Sequence, residues 1–225
     1  MNINPKTDAL IVIDIQNDFI PGGALAVNEG ADIIPGVAEL AKQFDTVVLS
    51  QDFHPAGHAS FASTHGKDPF FSIKLAYGDQ TLWPDHCVQG TPGAEFHAGL
   101  HASGVVNRAA AIIRKGTNPE VDSYSAFFEN DHKTTTGLSG YLREKGITTV
   151  YFVGLAYDFC VGYSALDAVS EGFEAVVVKD LTRAIGMPLE QGTTAGLMEK
   201  QFAERAVLVV NADDLAARPK GPSPR

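Results

Sequence analysis

The 225-residue chain is 44% hydrophobic, enough for one ordinary α/β domain with a buried core and short for two. Its 17 basic and 27 acidic residues leave a formal charge of −10, which disfavours phosphate backbones and anionic lipid, so neither nucleic acid nor a membrane is an expected partner. The longest apolar runs reach about five residues against the roughly 20 of a spanning helix, and no basic segment followed by an apolar stretch opens the chain, so a cytoplasmic location is expected.

In chain order, residues 9–13 read as a buried strand, 31–43 as a helix and 46–49 as a second buried strand. A weaker strand at 111–113 follows, then a helix at 138–145 ending at Gly146 and a strand at 149–153. Residues 161–170 form a helix ending at Gly172, 175–178 a strand, 189–202 a helix and 206–210 a last buried strand. This alternation predicts a single-domain α/β fold over residues 1–215: an open, mostly parallel six-stranded sheet with helices on both faces. The Pro, Gly, Ser and basic content of residues 216–225 predicts a disordered tail.

One connection breaks the rhythm. About 60 residues, 51–110, carry little periodic pattern, and long irregular loops inside compact domains are usually functional. This one holds six of the seven histidines: His54, His58, His65, His86, His97 and His101.

An open parallel sheet binds ligands beyond the carboxyl ends of its strands, so the residues that end each strand are the candidates for chemistry. They are Asp14, Asp52, Lys115 and the turn from Gly154 to Cys160. Taken singly, an aspartate at a strand end is also a common turn former or helix cap. Cys160 stands where that turn enters a helix, so nearby N–H groups and a lysine are expected to lower its pKa and make it a nucleophile. The same N–H groups suit a developing oxyanion. Asp14 is the candidate base that takes the thiol proton. Cys87, beside His86, reads as structural, and neither cysteine is expected in a disulfide. In Asp52-Phe53-His54 an extended i, i+2 spacing puts carboxylate and imidazole on one side of the chain, which suits a metal, with His86 as a third donor.

The segments Asp14-Ile15-Gln16-Asn17-Asp18-Phe19, Gln51-Asp52-Phe53-His54-Pro55, Trp83-Pro84-Asp85-His86, Lys115-Gly116, Asp122-Ser123-Tyr124-Ser125-Ala126-Phe127 and Gly154-Leu155-Ala156-Tyr157-Asp158-Phe159-Cys160 together resemble the bacterial nicotinamidases (pyrazinamidases) of the isochorismatase-like cysteine hydrolases. The likeness runs from about Ala9 to Asn211, and departs from the family where Tyr157 and Phe159 flank Asp158. It implies a three-layer, Rossmann-like sheet and a catalytic triad of Asp14, Lys115 and Cys160. It also implies one divalent ion, zinc, iron or manganese, on Asp52, His54 and His86, with Ser60 acting through water. Phe19 and Trp83 would flank a pyridine ring, Leu25 and Tyr124 would line its pocket, and a cis peptide before Ala156 would let the N–H groups of Ala156 and Cys160 form the oxyanion hole. The implied activity is hydrolysis of nicotinamide to nicotinate and ammonia through a cysteine thioester, in NAD salvage. A homo-oligomer is compatible with this, and His58 is open as a fourth ligand or a loop brace. The alternatives are another amidase or hydrolase of the superfamily, or a non-catalytic module that binds pyridine compounds.

Overall fold

The computed structural model describes residues 1–217. Six strands form one open sheet: β1 (Asp8–Ile13), β2 (Thr46–Asp52), β3 (Ala111–Lys115), β4 (Thr149–Leu155), β5 (Glu174–Arg183) and β6 (Leu208–Val210). Their order is β3-β2-β1-β4-β5-β6 and every pairing is parallel. The chain winds outward from β1 in one direction, then restarts at β4 and winds outward in the other. Parallel strands need crossovers, and right-handed ones put the first-half connections on one face and the second-half connections on the opposite face. Accordingly α1 (Ile34–Ala41) touches the short helix Ala98–Ala102, while α3 (Gly162–Ser170) touches α4 (Thr194–Glu204). A further helix, α2 (Leu138–Glu144), leads into β4.

Burial follows position in the sheet. Every residue of β1, β2 and β4 is buried, as expected of strands covered on both sides. The edge strands differ from the expectation of full burial for residues 206–210: β6 begins only at Leu208, after Ala206 turns at φ +58°, and Leu208 and Val209 are exposed. At the other edge β3 runs on to Lys115, because Arg114 and Lys115 pair with Gln51 and Asp52.

Helix boundaries also shift for local reasons. Pro35 lies in the first turn of α1, where its missing N–H costs nothing, so this helix starts at Ile34 rather than at 31. The helix expected from 189 starts at Thr194, where the Thr193 hydroxyl accepts from Gly196 N at 3.2 Å after Gly192 has turned at φ +88°. The long connection contains a hairpin, Ser72–Leu75 with Gly78–Thr81, and two short helices, Ala98–Ala102 and Val105–Arg108. Ala216 and Ala217, assigned by composition to a disordered tail, form a two-residue parallel pairing with Asn2 and Ile3. Backbone hydrogen bonding there does not depend on composition; the rest of that tail, 218–225, lies outside the described residues. No helix among the described residues is long and apolar enough to cross a membrane.

The strand pair at the switch point, β1 with β4, requires glycine at 154. Gly154 has φ +110°, and a Cβ there would run into the backbone of Ile13. Gly154→Ala is expected to destabilise the protein by about 2–4 kcal/mol, read as a lowered urea midpoint with an unchanged slope.

Candidate active site

The reversal of strand order puts the C-terminal ends of β1 to β4 around one cavity, and each end delivers a reactive side chain there. Asp14 leaves β1 at φ +46°, Asp52 ends β2, Lys115 ends β3, and Cys160 lies in the π-helical turn Tyr157–Val161 just beyond β4. The residues singled out from the strand ends do converge. The Lys115 ammonium, fully buried, lies 3.0 Å from Asp14 Oδ2 and 2.8 Å from Asp52 Oδ1. It also donates to the Ser123 carbonyl at 2.8 Å and to Cys160 Sγ at 3.4 Å.

One ammonium thus serves two carboxylates in different surroundings. Burial pushes Asp14 up, and Lys115 offsets this only in part, so its carboxyl sits above the ordinary 3.8. Burial acts on Asp52 as well, but Lys115 and His54 outweigh it and hold Asp52 well below 3.8. For Lys115, burial favours loss of the proton, and the two aspartates overcome this to hold it well above 10.5. The outcome is a permanent cation between one strong carboxylate base and one carboxylate that stays ionised.

The expected acidic thiol is corrected by these surroundings. Burial pushes Cys160 well above its ordinary value; Lys115 opposes that, while Asp14 and Asp52 reinforce it. Two carboxylates beside one ammonium disfavour a thiolate, so the sulfur calls for a base within reach. Asp14 meets that need: its carboxylate, that of Asp52 and Cys160 Sγ lie within 4.8 Å of one another. Sequence reasoning missed the residue that orients this base. Ser50, buried on β2, donates to Asp14 Oδ1 at 2.7 Å, leaving Oδ2 without a hydrogen-bond donor other than the lysine. A serine inside a buried strand was the available signal.

The Asp52, His54 and His86 donors also come together, with ligating atoms within 4.8 Å. Nδ1 of His54 donates to the Gly116 carbonyl at 2.9 Å and Nδ1 of His86 to the Pro84 carbonyl at 2.8 Å. Each ring therefore turns Nε2 inward, 3.2 and 3.5 Å from Asp52 Oδ2. Two imidazole Nε2 atoms and a carboxylate oxygen facing one point, with the outer nitrogens anchored on carbonyls, fit a divalent cation that would take the place of the His54 proton. Gly116 is tied to this geometry, since a Cβ there would meet the His54 ring. Gln16, read only as part of a motif, holds the strand end in place: its carboxamide donates to Asp52 O at 2.7 Å and accepts from Asp52 N at 2.8 Å.

His58 braces the loop through one ring nitrogen, while its buried Nε2 has no hydrogen-bond partner among the described residues and stands in a second donor cluster with His54 and Asp122. Its Nδ1 accepts from Ser60 N at 3.2 Å and pairs with Ser60 Oγ at 2.8 Å, which leaves the ring proton on Nε2. Burial, then the nearby His54, lowers its pKa to about 4. Ser60 is buried beside it. Of the other loop histidines, His97 caps the helix Ala98–Ala102 and His65 donates to Ala59 O. Cys87 is buried with Sγ 4.0 Å from Gly93 O.

Phe19, Leu25, Trp83 and Tyr124 line the cavity as expected, and Phe159 and Ile185, to which the sequence assigned no role, join them. Cys160, Ala156, Asp52, His86 and Asp122 form the rest of its surface. Trp83 is held edge-on to Phe159 at 4.9 Å and donates its indole N–H to Tyr124 Oη at 3.1 Å. The Leu155–Ala156 peptide is cis. The result is a largely apolar, aromatic-walled slot whose lining includes both the Cys160 thiol and Asp52 and His86 of the metal-type donor set.

This fold and site define a class. The isochorismatase domain matches residues 8–206, and the chain belongs to the isochorismatase family. Within it, the nicotinamidase of Acinetobacter baylyi is 54% identical over 180 residues, covering 80% of this chain and 82% of the relative. The solved nicotinamidase and pyrazinamidase of Acinetobacter baumanii superposes with a TM-score of 0.88 at 47% identity, over 94% of this chain and 99% of that one. The pyrazinamidase of Pyrococcus horikoshii in complex with zinc superposes with a TM-score of 0.71 at 35% identity, over 91% and 99% of the two chains.

Lys115→Met keeps an unbranched side chain but leaves two buried carboxylates without their counter-ion, an expected loss of about 3–5 kcal/mol near neutral pH. Because Asp52 is held below 3.8 in the folded protein, its contribution is present above that value and is lost as pH falls through the lowered pKa. The difference in urea midpoint between wild type and Lys115→Met should therefore be largest near neutral pH and narrow as the pH falls below 3.8.

Proposed function

We propose that the protein is an amidohydrolase that converts nicotinamide to nicotinate and ammonia through a thioester on Cys160. The observation that carries this reading is the single buried ammonium of Lys115, 3.0 Å from Asp14, 3.4 Å from Cys160 Sγ and 2.8 Å from Asp52. It ties the nucleophile and its base to the donor set that would orient a pyridine ring. The names of the family members most similar to this chain support the same substrate class.

The chemistry follows from the protonation states. Asp14 begins as the carboxylate and takes the proton from Cys160 as sulfur attacks the carboxamide carbon. The carboxamide oxygen gathers negative charge, for which the N–H groups of Ala156 and Cys160 are the candidate donors. Asp14, now protonated, hands its proton to the departing nitrogen, and ammonia leaves as the C–N bond breaks. Water then adds to the thioester carbonyl while Asp14 accepts one of its protons. Collapse breaks the C–S bond and the Asp14 proton returns to sulfur; the product leaves as nicotinic acid and ionises to nicotinate, its proton taken up by the released ammonia. Lys115 keeps its proton throughout, so its part is electrostatic.

Asp52, His54 and His86 would hold a divalent ion of the zinc, iron or manganese type, with Ser60 reaching it through water. Such an ion, when bound, supplies a Lewis acid for the ring nitrogen and so fixes the ring's orientation. Phe19 and Trp83 would bracket the ring, and Leu25 and Tyr124 would complete the slot. Holding the carboxamide carbon over the sulfur converts much of the barrier into binding already made.

Two measurements test this. Wild-type protein should release ammonia from nicotinamide, and Cys160→Ala should release none while still binding nicotinamide in calorimetry; turnover by Cys160→Ala would sink the thioester route. Removing divalent ions with a chelator should raise KM by about tenfold or more, and adding back zinc or manganese should restore it.

A further inference from the structure

We infer that Asp158 is a positioning residue that pins Ile185 into the substrate slot, and that Ile185 sets which ring substituents the slot admits. This rests on the nicotinamide reading above and extends it to substrate selection. Asp158 lies two residues before Cys160, in the same turn, and is buried. Its carboxylate is turned away from the reacting groups and fully engaged by another segment. Oδ1 accepts from Ile185 N at 2.9 Å, and Oδ2 accepts from Gly186 N at 2.8 Å and from the Thr194 hydroxyl at 2.5 Å.

That segment, 184–193, joins β5 to α4; Ala184, Ile185 and Met187 pack against the core, and the polar hold on its backbone from outside comes through Asp158. Leu189 N donates to Gly192 O, Pro188 bridges to Thr193 and Thr194 N donates to Met187 O, so the remaining hydrogen bonds close on the segment and its own end. Gly186 and Gly192 have φ of +71° and +88°, and Leu189 is exposed. Two backbone N–H groups and a hydroxyl on one buried carboxylate form the tether between this segment and the nucleophile turn.

The other walls of the slot are interlocked. Trp83, Tyr124 and Phe159 contact one another edge to face, and Phe19 leans on His86. Ile185 is the wall residue whose own backbone N–H is held by a single buried carboxylate rather than by the sheet or by an aromatic neighbour, so it is where the slot can yield to a larger ring. Holding it through Asp158 keeps its position in register with the sulfur, because both hang from one five-residue turn.

The test is a cycle of Asp158→Asn, Ile185→Ala and the double variant, all metal-replete, on nicotinamide and on nicotinamides carrying one methyl at ring carbon 4, 5 or 6. Asn keeps the shape of Asp158 but offers one acceptor oxygen, with an amide N–H₂ facing a backbone donor. Ile185→Ala is expected to raise kcat/KM for at least one methylated isomer, relative to nicotinamide, by about tenfold. Asp158→Asn should shift the same preference in the same direction, mainly through KM, and should add nothing in the double variant. Equal losses of kcat on every amide with preference unchanged, or effects that multiply in the double variant, would overturn the inference. If Asp158→Asn does not fold, Thr194→Val removes one of the three donors and should give a smaller shift of the same kind. The same preferences, read as dissociation constants on the Cys160→Ala background, separate a failure of selection from a failure of the proposed turnover.

Discussion

A lysine ammonium buried between two aspartates is the constraint from which the rest of this site follows. Taking such a charge out of water costs several kcal/mol, and only close, well-directed partners offset it. Lys115 has four: two carboxylates, a carbonyl and a thiol sulfur. Two carboxylates against one ammonium leave the cluster with an excess of negative charge. Burial, reinforced by the two carboxylates, pushes the Cys160 thiol up, burial raises Asp14 above its ordinary value against the pull of Lys115, and the second carboxylate makes the Asp52 side of the cavity a place where a cation is welcome. A single ion pair network therefore couples the reacting half of the cavity to the orienting half.

The parallel sheet makes that network possible. Strands β1 to β4 end side by side, so four side chains far apart in the chain meet without any loop having to fold over them. Rigid strand ends hold reactive groups to tighter tolerances than loops can. The long connection supplies what the strands cannot, namely the histidines and the aromatic walls, and it is tied back to the sheet by specific polar contacts. Gln16 grips the end of β2 and also donates to Ala94 O at 2.8 Å, and Asp18 accepts from Cys87 N at 2.7 Å beside His86. Gly93 belongs to the same junction, since a Cβ there would meet the Asp18 carboxylate.

Substrate selection and catalysis share one element in this arrangement. The turn that carries Cys160 also carries Phe159, a wall of the slot, and Asp158, whose carboxylate reaches the segment bearing Ile185. One wall of the slot, the tether to Ile185 and the Cys160 sulfur thus belong to the same few residues, which is what the proposed reaction needs if a ring that fits the slot is to meet the sulfur.

Much of this was legible from the residues alone. Runs of β-branched residues marked the strands, because strands covered on both faces must be apolar throughout, and the polar residue that ended each run marked the site. The Asp52 and His54 pair was legible from its i, i+2 spacing and residue types, with His86 read as a third donor, and the three do come together. Edge strands were harder, since their burial depends on what lies beside them and not on their own composition; residues 206–210 look like a core strand and are half-exposed. Ser50, Phe159 and Ile185 carry no pattern that separates them from ordinary core residues, and only their neighbours reveal them. Above all, the proton on Cys160 was a tertiary matter. Composition and motif determined that sulfur, ammonium and carboxylates would meet, but a pKa is set by how deeply each group is buried and how many charges of each sign surround it, and those are distances that only the folded chain possesses.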